Sequence, residues 1–241
     1  MRTIKFEKML TDLKKTIDRK EIDLLPPYVF SGEVKVIEEA RQVGEAADFL
    51  SRHACLGFDT ETRPAFRKGE IYKVSLLQLA VPDQVFLFRL NKCGFQPALV
   101  RLLASPRIIK IGVGIRDDNR NLRKLTDFTP ASFVDLQEYA GRFGIEDKSF
   151  SKLMAIIFGV KISKRQRTSN WEAPALTEAQ IRYAATDAWG ALKMRIYGTE
   201  RRAARALPRP QGIQRHRLLY ARFAAPVPGD RHLRGDGCFG H

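Results

Sequence analysis

Two carboxylates stand two residues apart at the end of an apolar run, in the sequence GFDTET from Gly57 to Thr62. In an extended strand, residues two apart project from the same face, so Asp59 and Glu61 point together while Phe58 and Thr60 point the other way. Two like charges on one face repel each other. This arrangement indicates a positive partner, either a lysine or arginine side chain or a metal ion.

A second acidic pair follows a glycine-containing turn. The sequence IIKIGVGIRDDNRNL predicts a strand, a turn and a helix, with Asp117 and Asp118 in the turn or the first helical turn. Aspartate is a favoured helix N-cap, so capping is one interpretation of this pair. A dinucleotide-binding loop is another, because Gly112 and Gly114 fit the first half of its glycine pattern. Asp117 occupies the third glycine position, which makes that match weak.

A fourth acid, Asp187, lies one turn after Tyr183 on the last long helix that the sequence predicts. Spacing of four residues puts the phenol and the carboxylate on one helix face, so both could reach one site. The sequence TEAQ, residues 177–180, matches a capping box and predicts where this helix begins. Taken singly, Tyr183 is typical of a half-buried aromatic residue and Asp187 of a surface charge.

The elements that must position these acids are those of an α/β domain. Apolar runs at residues 55–60, 73–81 and 84–90 are joined by short connections and predict three antiparallel strands in a meander. From Phe95 onward, helix and strand patterns alternate. The expected fold is therefore a mixed β-sheet flanked by helices.

The chain divides by composition into three segments. Residues 1–30 predict a charged amphipathic helical arm that ends at the sequence LLPPYVF. Residues 31–198 hold the predicted strands and helices, and the last helix is expected to end near Tyr197. Residues 199–241 contain nine arginines and no lysine, whereas residues 1–198 contain sixteen lysines. This change predicts an appended, mobile tail, and a shifted reading frame would produce the same change.

Charge and composition narrow the class of partner. The 241 residues carry a formal net charge of +15. This charge favours a polyanionic partner, nucleic acid first and an anionic membrane surface second. A need for solubility would also explain the charge. No apolar run reaches the roughly 20 residues of a membrane-spanning helix, and no signal peptide is recognisable. The three cysteines are far apart and predict reduced thiols. We therefore expect a cytoplasmic protein without a membrane partner.

In their order and spacing, the acidic blocks resemble the DEDD 3′-5′ exonucleases of the ribonuclease H-like superfamily. FDTET resembles the first motif of that family, GVGIRDD the second and YAATDAW the third, and the similarity covers roughly Val34 to Tyr197. The branch with the best match contains the Werner-helicase exonuclease domain and ribonuclease D. The resemblance implies a ribonuclease H-like (DnaQ-like exonuclease) fold, with residues 31–198 as the 3′-5′ exonuclease domain.

The resemblance also implies roles for individual residues. It assigns four acids as ligands of two divalent cations, Mg²⁺ or Mn²⁺: Asp59, Glu61, Asp118 and Asp187. In this branch the second acid follows the pattern G-V-G-I-x-x-D, which selects Asp118 over Asp117. By the family arrangement, Asp59 bridges both ions, Glu61 and Asp187 complete the first site, and Asp118 holds the second. Tyr183 matches the y subclass and would orient the attacking water, whereas the h subclass has histidine where this chain has Arg182.

Phosphodiester hydrolysis explains this choice of residue types. Two divalent ions about 3.5 to 4 Å apart can stabilise both the attacking and the leaving oxygen. Mg²⁺ and Mn²⁺ prefer carboxylate oxygens, so a ligand set without histidine or cysteine is expected. At its ordinary pKa of about 10, a tyrosine is protonated at neutral pH and is better suited to positioning than to acting as a base.

Four further residues are candidates for contact with nucleic acid: Thr60, Phe66, Lys164 and Arg167. The sequence SKRQRTSNW could place Lys164 and Arg167 beside a phosphate, or it could be a solvated run of charge. Phe66 could stack on a base or simply pack in its loop. Trp171 is expected in the core. The rival to an exonuclease is a catalytically silent nucleic-acid-binding domain of the same fold, and the sequence leaves DNA and RNA equally open as substrates.

Overall fold

The computed structural model describes residues 13–206, with side chains described up to Thr199. Its sheet has six strands in the spatial order β1-β4-β3-β2-β5-β6. The strands are β1 (Glu33–Ile37), β2 (Cys55–Thr62), β3 (Val74–Ala80), β4 (Gln84–Arg89), β5 (Ile109–Gly112) and β6 (Phe133–Asp135).

Eight helices are present among the described residues. They are α1 (Arg19–Asp23), α2 (Ala40–Ser51), α3 (Leu90–Cys93), α4 (Pro97–Ala104), α5 (Arg116–Arg123), α6 (Leu136–Gly141), α7 (Phe150–Phe158) and α8 (Glu178–Ala206). No described helix is long and apolar enough to cross a membrane.

The sheet is mixed, as the sequence predicts. Strands β2, β3 and β4 form the predicted antiparallel meander. Strand β5 pairs in parallel with β2, and β6 in parallel with β5. Because these three strands run in one direction, their carboxyl ends meet at one edge of the sheet. The acids that end β2 and the turn that follows β5 therefore lie side by side.

Strand alternation sends the residues of β2 into two different layers. Leu56 and Phe58 pack in the core beneath α2 and α4. On the opposite face, α8 comes unusually close to the sheet, since it buries the small residues Ala184 and Ala188. A Cβ atom at Gly57 would lie 2.0 Å from the carbonyl oxygen of Ala188. Only glycine at this position lets α8 bring its polar side chains to the end of β2.

A segment at residues 27–32, here called the strap, holds the outer side of α8. The backbone N–H of Phe30 donates to the Thr186 hydroxyl at 3.0 Å. The Arg182 guanidinium donates to the carbonyl of Gly32 at 2.9 Å. The Tyr28 ring stacks on Trp189 with 5.5 Å between centroids. The strap therefore fixes the part of α8 that carries Asp187.

The predicted helical arm at residues 1–30 needs correction where the structure describes it. Residues 1–12 lie outside the described residues, and from residue 13 to 30 the only helix is the five-residue α1. Ile17 is buried, and its N–H donates to the Asp147 carboxylate at 2.8 Å. Asp18 then caps α1 by accepting from the Glu21 N–H. Long-range burial and a local cap override the amphipathic pattern here.

The expectation that the last helix ends near Tyr197 is also wrong, because α8 continues to Ala206. Gly198 lies within this helix and packs against the Tyr139 ring, where a Cβ atom would come within 2.7 Å of ring atoms. The chain separates into two units, Met1–Ala204 and Arg205–His241. Apart from residues 199–206, the predicted tail lies outside the described residues, and the predicted boundaries at 31 and 198 stay a prediction.

Candidate active site

Three of the four predicted metal ligands come together at the end of β2. Carboxylate oxygens of Asp59, Glu61 and Asp187 all lie within 4.8 Å of one another. Strand alternation puts the first two on one face, and the close approach of α8 brings the third. Glu61 and Asp187 are each only 9% exposed. The structure thus concentrates three acids in a space largely closed to solvent.

The protonation of these acids reflects their burial and mutual repulsion. Burial, followed by the fields of Asp187 and Glu61, raises the pKa of Asp59 well above its usual range. Burial and the field of Asp187 raise the pKa of Glu61 to about 9, although Arg167 acts to lower it. Burial raises the pKa of Asp187 to about 7, and its hydrogen bond with Tyr183 opposes this rise. The group therefore favours any added positive charge.

Among residues 13–199, no basic side chain pairs directly with these three acids. Within the part of the chain that the structure describes, Oδ1 of Asp187 is buried without a hydrogen-bond partner. Arg63 pairs with Glu172, outside the group, at 3.5 Å. Of the two partners that the sequence allows, a basic side chain or a metal ion, the donor set fits the ion. Three clustered carboxylates without histidine or cysteine suit a hard divalent cation.

The fourth predicted ligand, Asp118, lies beside this group and not within it. It sits in the first turn of α5, and its carboxylate accepts a hydrogen bond from the Thr60 hydroxyl. Burial raises the pKa of Asp118 to about 6, with the Thr60 hydrogen bond opposing the rise. Thr60 points away from Asp59, so it reaches Asp118 from the other face of β2.

Neither acid of the pair Asp117–Asp118 caps α5, so that interpretation is wrong. The N-cap residue is Ile115, and no side chain caps it. Asp117 is exposed and pairs with Arg120 at 3.0 Å. The glycines before it have packing roles: a Cβ atom at Gly112 would lie 2.6 Å from the carbonyl of Phe58, and Gly114 has φ +73°. They serve a close strand contact and a left-handed turn.

Asp135 is a residue of this region that the sequence reasoning missed. It ends β6, and its Oδ1 accepts from the N–H groups of Gly114 and Gln137 at 3.0 and 2.9 Å. Its Oδ2 accepts from the Ile115 N–H at 3.2 Å. An aspartate between a strand and a helix is a recognisable N-cap signal for α6. Its contact with the turn before α5 required knowledge that β6 pairs with β5.

Tyr183 lies beside Asp187, as their spacing predicts. Burial and then the fields of Asp187 and Glu61 raise the pKa of the Tyr183 phenol far above its ordinary value. The phenol therefore remains protonated at neutral pH and has a proton to donate. The ring lies 6.1 Å from that of Trp171, centroid to centroid. Trp171 is fully buried, which confirms its predicted place in the core.

Three of the four predicted nucleic-acid contacts are exposed, and Thr60 is the exception. Phe66 is 81% exposed in the loop that follows β2. Lys164 and Arg167 are exposed, and Arg167 is close enough to act on the pKa of Glu61. Thr60 instead has its hydroxyl bonded to Asp118. Binding of nucleic acid by any of these four residues stays a prediction.

Gln78 is a second residue that the sequence reasoning missed. It pairs with Asp59 across the β2–β3 ladder and therefore projects from the same face. Its side chain is completely buried, and among the described residues neither amide atom has a hydrogen-bond partner. A polar residue inside the apolar run VSLLQLA was the available signal.

The similarity to known proteins covers the whole region that carries these residues. Residues 34–197 match the model of a family described as 3′-5′ exonuclease. The bifunctional 3′-5′ exonuclease/ATP-dependent helicase WRN of Mus musculus is 32% identical over 180 residues, which are 70% of this chain and 13% of that protein. Ribonuclease D of Gluconacetobacter diazotrophicus is 34% identical over 142 residues, 57% of this chain and 35% of that protein. The chain thus spans well under half the length of these two relatives.

A solved structure supports the fold independently. The EXO domain of Aedes aegypti Nibbler superposes with a TM-score of 0.67 at 22% sequence identity, covering 75% of this chain and 94% of that one. At this identity the likeness establishes the fold alone. It confirms the predicted mixed sheet flanked by helices of the ribonuclease H-like class.

Proposed function

This chain belongs to the 3′-5′ exonuclease family, and on that premise we propose that it removes nucleotides from the 3′ end of DNA or RNA by two-metal-ion hydrolysis. The observation that carries the proposal is the group of buried carboxylates at Asp59, Glu61 and Asp187, which forms no ion pair with a basic side chain among the described residues. A fold without such chemistry would gain stability by replacing these acids.

The residues divide the work as follows. Asp59, Glu61 and Asp187 would hold one divalent cation, Mg²⁺ or Mn²⁺, and Asp118 with Asp59 would hold a second. The ions, when bound, supply Lewis acidity and lower the pKa of a bound water. Tyr183 keeps its proton, and its hydroxyl, which bonds Asp187, would orient the attacking water beside that carboxylate. The cations of Lys164 and Arg167 would neutralise phosphates of the strand being degraded, and exposed Phe66 would stack on a base.

A catalytically silent nucleic-acid-binding domain is the alternative function. It keeps the surface cations and has no use for buried, uncompensated acids. All four acids and the tyrosine are present in this chain, which favours the enzyme. A binding domain and an enzyme would both retain nucleic acid on a filter, so only product analysis separates them.

The deciding experiment offers 5′-labelled and 3′-labelled single-stranded DNA, single-stranded RNA and recessed duplexes with Mg²⁺, Mn²⁺ or EDTA. We expect progressive shortening of the 5′-labelled strand, immediate release of the 3′ label as a mononucleotide, and no reaction in EDTA. The relative rates assign DNA or RNA. Hydrolysis in EDTA, or release of the 5′ label first, would refute the proposal.

Matched variants connect this activity to the site. Asp118→Asn should lose hydrolysis, whereas Asp117→Asn, one residue away and exposed, should retain it. Equal loss in both variants would argue against the assignment of Asp118.

A cytoplasmic location is a further part of the proposal, and cell fractionation tests it.

A further inference from the structure

We propose that Asp135 is a positioning residue that fixes Asp118 for metal binding by holding the turn between β5 and α5. The inference rests on the proposed function and adds a residue to it. Asp135 is not one of the four acids of the family pattern, and it does not lie in the group formed by Asp59, Glu61 and Asp187.

The geometry is that of one carboxylate shared among three backbone donors. Oδ1 of Asp135 accepts from Gly114 and Gln137, and Oδ2 accepts from Ile115, all within 3.2 Å. Gln137 belongs to α6, which follows Asp135 directly, so this bond is an ordinary cap. Gly114 and Ile115 lie 21 and 20 residues earlier in the chain than Asp135, and their bonds join β6 to the turn.

The Ile115 side chain is buried in the core, and the backbone N–H groups of the turn are held by Asp135. Gly114 has φ +73°, a conformation that glycine adopts freely and also leaves freely. Ile115 is the N-cap residue of α5 but provides no side-chain cap. Backbone bonds to Asp135 therefore compensate for a flexible residue and a weak cap. Since α5 begins at Arg116, the orientation of the turn sets the direction of the helix.

Asp118 is in the first turn of that helix, three residues after Ile115. Its carboxylate already accepts one direct hydrogen bond, from the Thr60 hydroxyl on β2. Asp135 supplies the second constraint, through the backbone. With both, Asp118 is held beside the other acids even though its own helix meets the site only at its first turn. Partners of ligands commonly change metal affinity by about 10- to 100-fold when removed.

The variant Asp135→Asn separates the two functions of the carboxylate. Asparagine caps a helix about as well as aspartate, so the bonds at Oδ1 can persist. Its amide NH₂ replaces Oδ2 and places a donor against the Ile115 N–H. Asp135→Ala removes all three bonds. Asp18→Asn is the matched control, because Asp18 also caps a helix, α1, but has no contact with the turn.

Two measurements on the full chain test the proposal. Calorimetry with Mn²⁺ alone reports ion binding without catalysis, and single-turnover hydrolysis over a range of Mg²⁺ concentrations reports the ion requirement. We expect Asp135→Asn to raise the Mg²⁺ requirement about tenfold and Asp135→Ala up to about a hundredfold, with weaker Mn²⁺ binding in the same order. Saturating Mg²⁺ should restore most of the rate of Asp135→Asn but not that of Asp118→Asn.

The outcomes separate this inference from the proposed function. If Asp135→Asn lowers the free energy of unfolding in urea but leaves Mn²⁺ binding and the Mg²⁺ requirement at the values of Asp18→Asn, Asp135 is only a structural residue. That result would overturn the inference and leave the exonuclease proposal intact. If the wild-type chain neither binds Mn²⁺ nor hydrolyses nucleic acid, the proposed function fails, and the inference fails with it.

Discussion

One face of the sheet carries two groups of buried charge, one acidic and one basic. Glu61 pairs with Leu76 across β2 and β3, and Leu76 pairs with Arg89 across β3 and β4. The three side chains therefore form one row on one face. At one end of the row are the clustered acids, and at the other end is Arg89, which is completely buried.

The basic end is compensated by groups of the chain itself. The Arg89 guanidinium donates to Glu38 at 2.8 Å and also to the carbonyls of Ala173 and Pro174. Lys92 donates to the other oxygen of Glu38 at 2.8 Å. Hydrogen bonds from Lys92 and Arg89 lower the pKa of Glu38. Arg89 thereby fastens residues 173–174 to the sheet, close to Trp171, which packs near Tyr183.

The acidic end has no such compensation among the described residues. Burial is thus not what distinguishes the functional charges from the structural ones, because both groups are buried. The difference is whether a described side chain of opposite charge pairs with each group: Arg89 pairs with Glu38, although its Nε has no hydrogen-bond partner among the described residues, whereas the acids have no such ion pair. Paired charge joins segments of the fold, and unpaired buried charge marks a place where something from outside binds.

The largest expected effect on hydrolysis comes from replacing one of the clustered acids. Asp187→Asn and Asp59→Asn should each lose hydrolysis by about a thousandfold or more, because each removes a proposed ion ligand. In EDTA, both variants should unfold at the same or a higher urea concentration than wild type, since repulsion among the acids is relieved. Near wild-type turnover, or a lower unfolding midpoint in EDTA, would contradict this.

Replacing the buried cation should have the opposite consequence. Arg89→Met should lower the free energy of unfolding by about 3 kcal/mol, because it removes the buried donor to Oε1 of Glu38 and to the Ala173 carbonyl, while Lys92 still bonds Glu38 and Pro174. The folded fraction should still hydrolyse substrate in a single-turnover assay. Glu38→Gln is the milder control, since the Glu38 side chain is 41% exposed. Urea titration checks the result, and loss of activity without loss of stability would refute it.

Tyr183→Phe sharpens the distinction between holding an ion and orienting a water. The ring and its packing on Trp171 remain, and only the hydroxyl is lost. We expect a rate reduction of about 10- to 100-fold, well above the residual rate of Asp187→Asn. Single-turnover rates for the two variants, measured side by side, provide the check. An equally complete loss in both would assign an obligatory role to the phenol.

Lys110 is a third buried charged group, and its replacement should have the smallest of the expected effects. Its side chain is completely buried, its ammonium donates to the Ser105 carbonyl at 2.8 Å, and burial lowers its pKa to about 8. Between pH 8 and its ordinary value of about 10.4, the unfolded chain binds more protons here than the folded chain. The lysine's contribution to stability therefore rises with pH across this window.

Lys110→Met, compared with wild type by urea unfolding, tests this pH dependence. The free energy of unfolding of wild type minus that of the variant should increase from pH 8 to pH 10. A difference that stays constant or decreases would show that Lys110 does not lose its proton more readily in the folded chain.

The sequence was sufficient for the acids and insufficient for the groups that surround them. Asp59 and Glu61 follow from strand alternation, and Tyr183 with Asp187 from helical spacing, because both periodicities are local. Asp135 and Arg89 depend on which strands become neighbours. An arginine at the end of β4 predicts a solvated charge, and only the arrival of residues 173–174 makes its burial favourable. Local pattern identifies a charge, but long-range pairing decides whether it is compensated.

The strap has a consequence for the choice of fragment ends. Similarity to the family begins at residue 34, after the strap at residues 27–32. On α8, the Thr186 hydroxyl and the Arg182 guanidinium bond to Phe30 and Gly32 of the strap. A fragment that begins where family similarity begins would lack both of these partners. Thr186 directly precedes Asp187. The strap therefore contributes contacts to α8 from outside the matched residues, and a fragment intended for biochemistry should begin before Pro27.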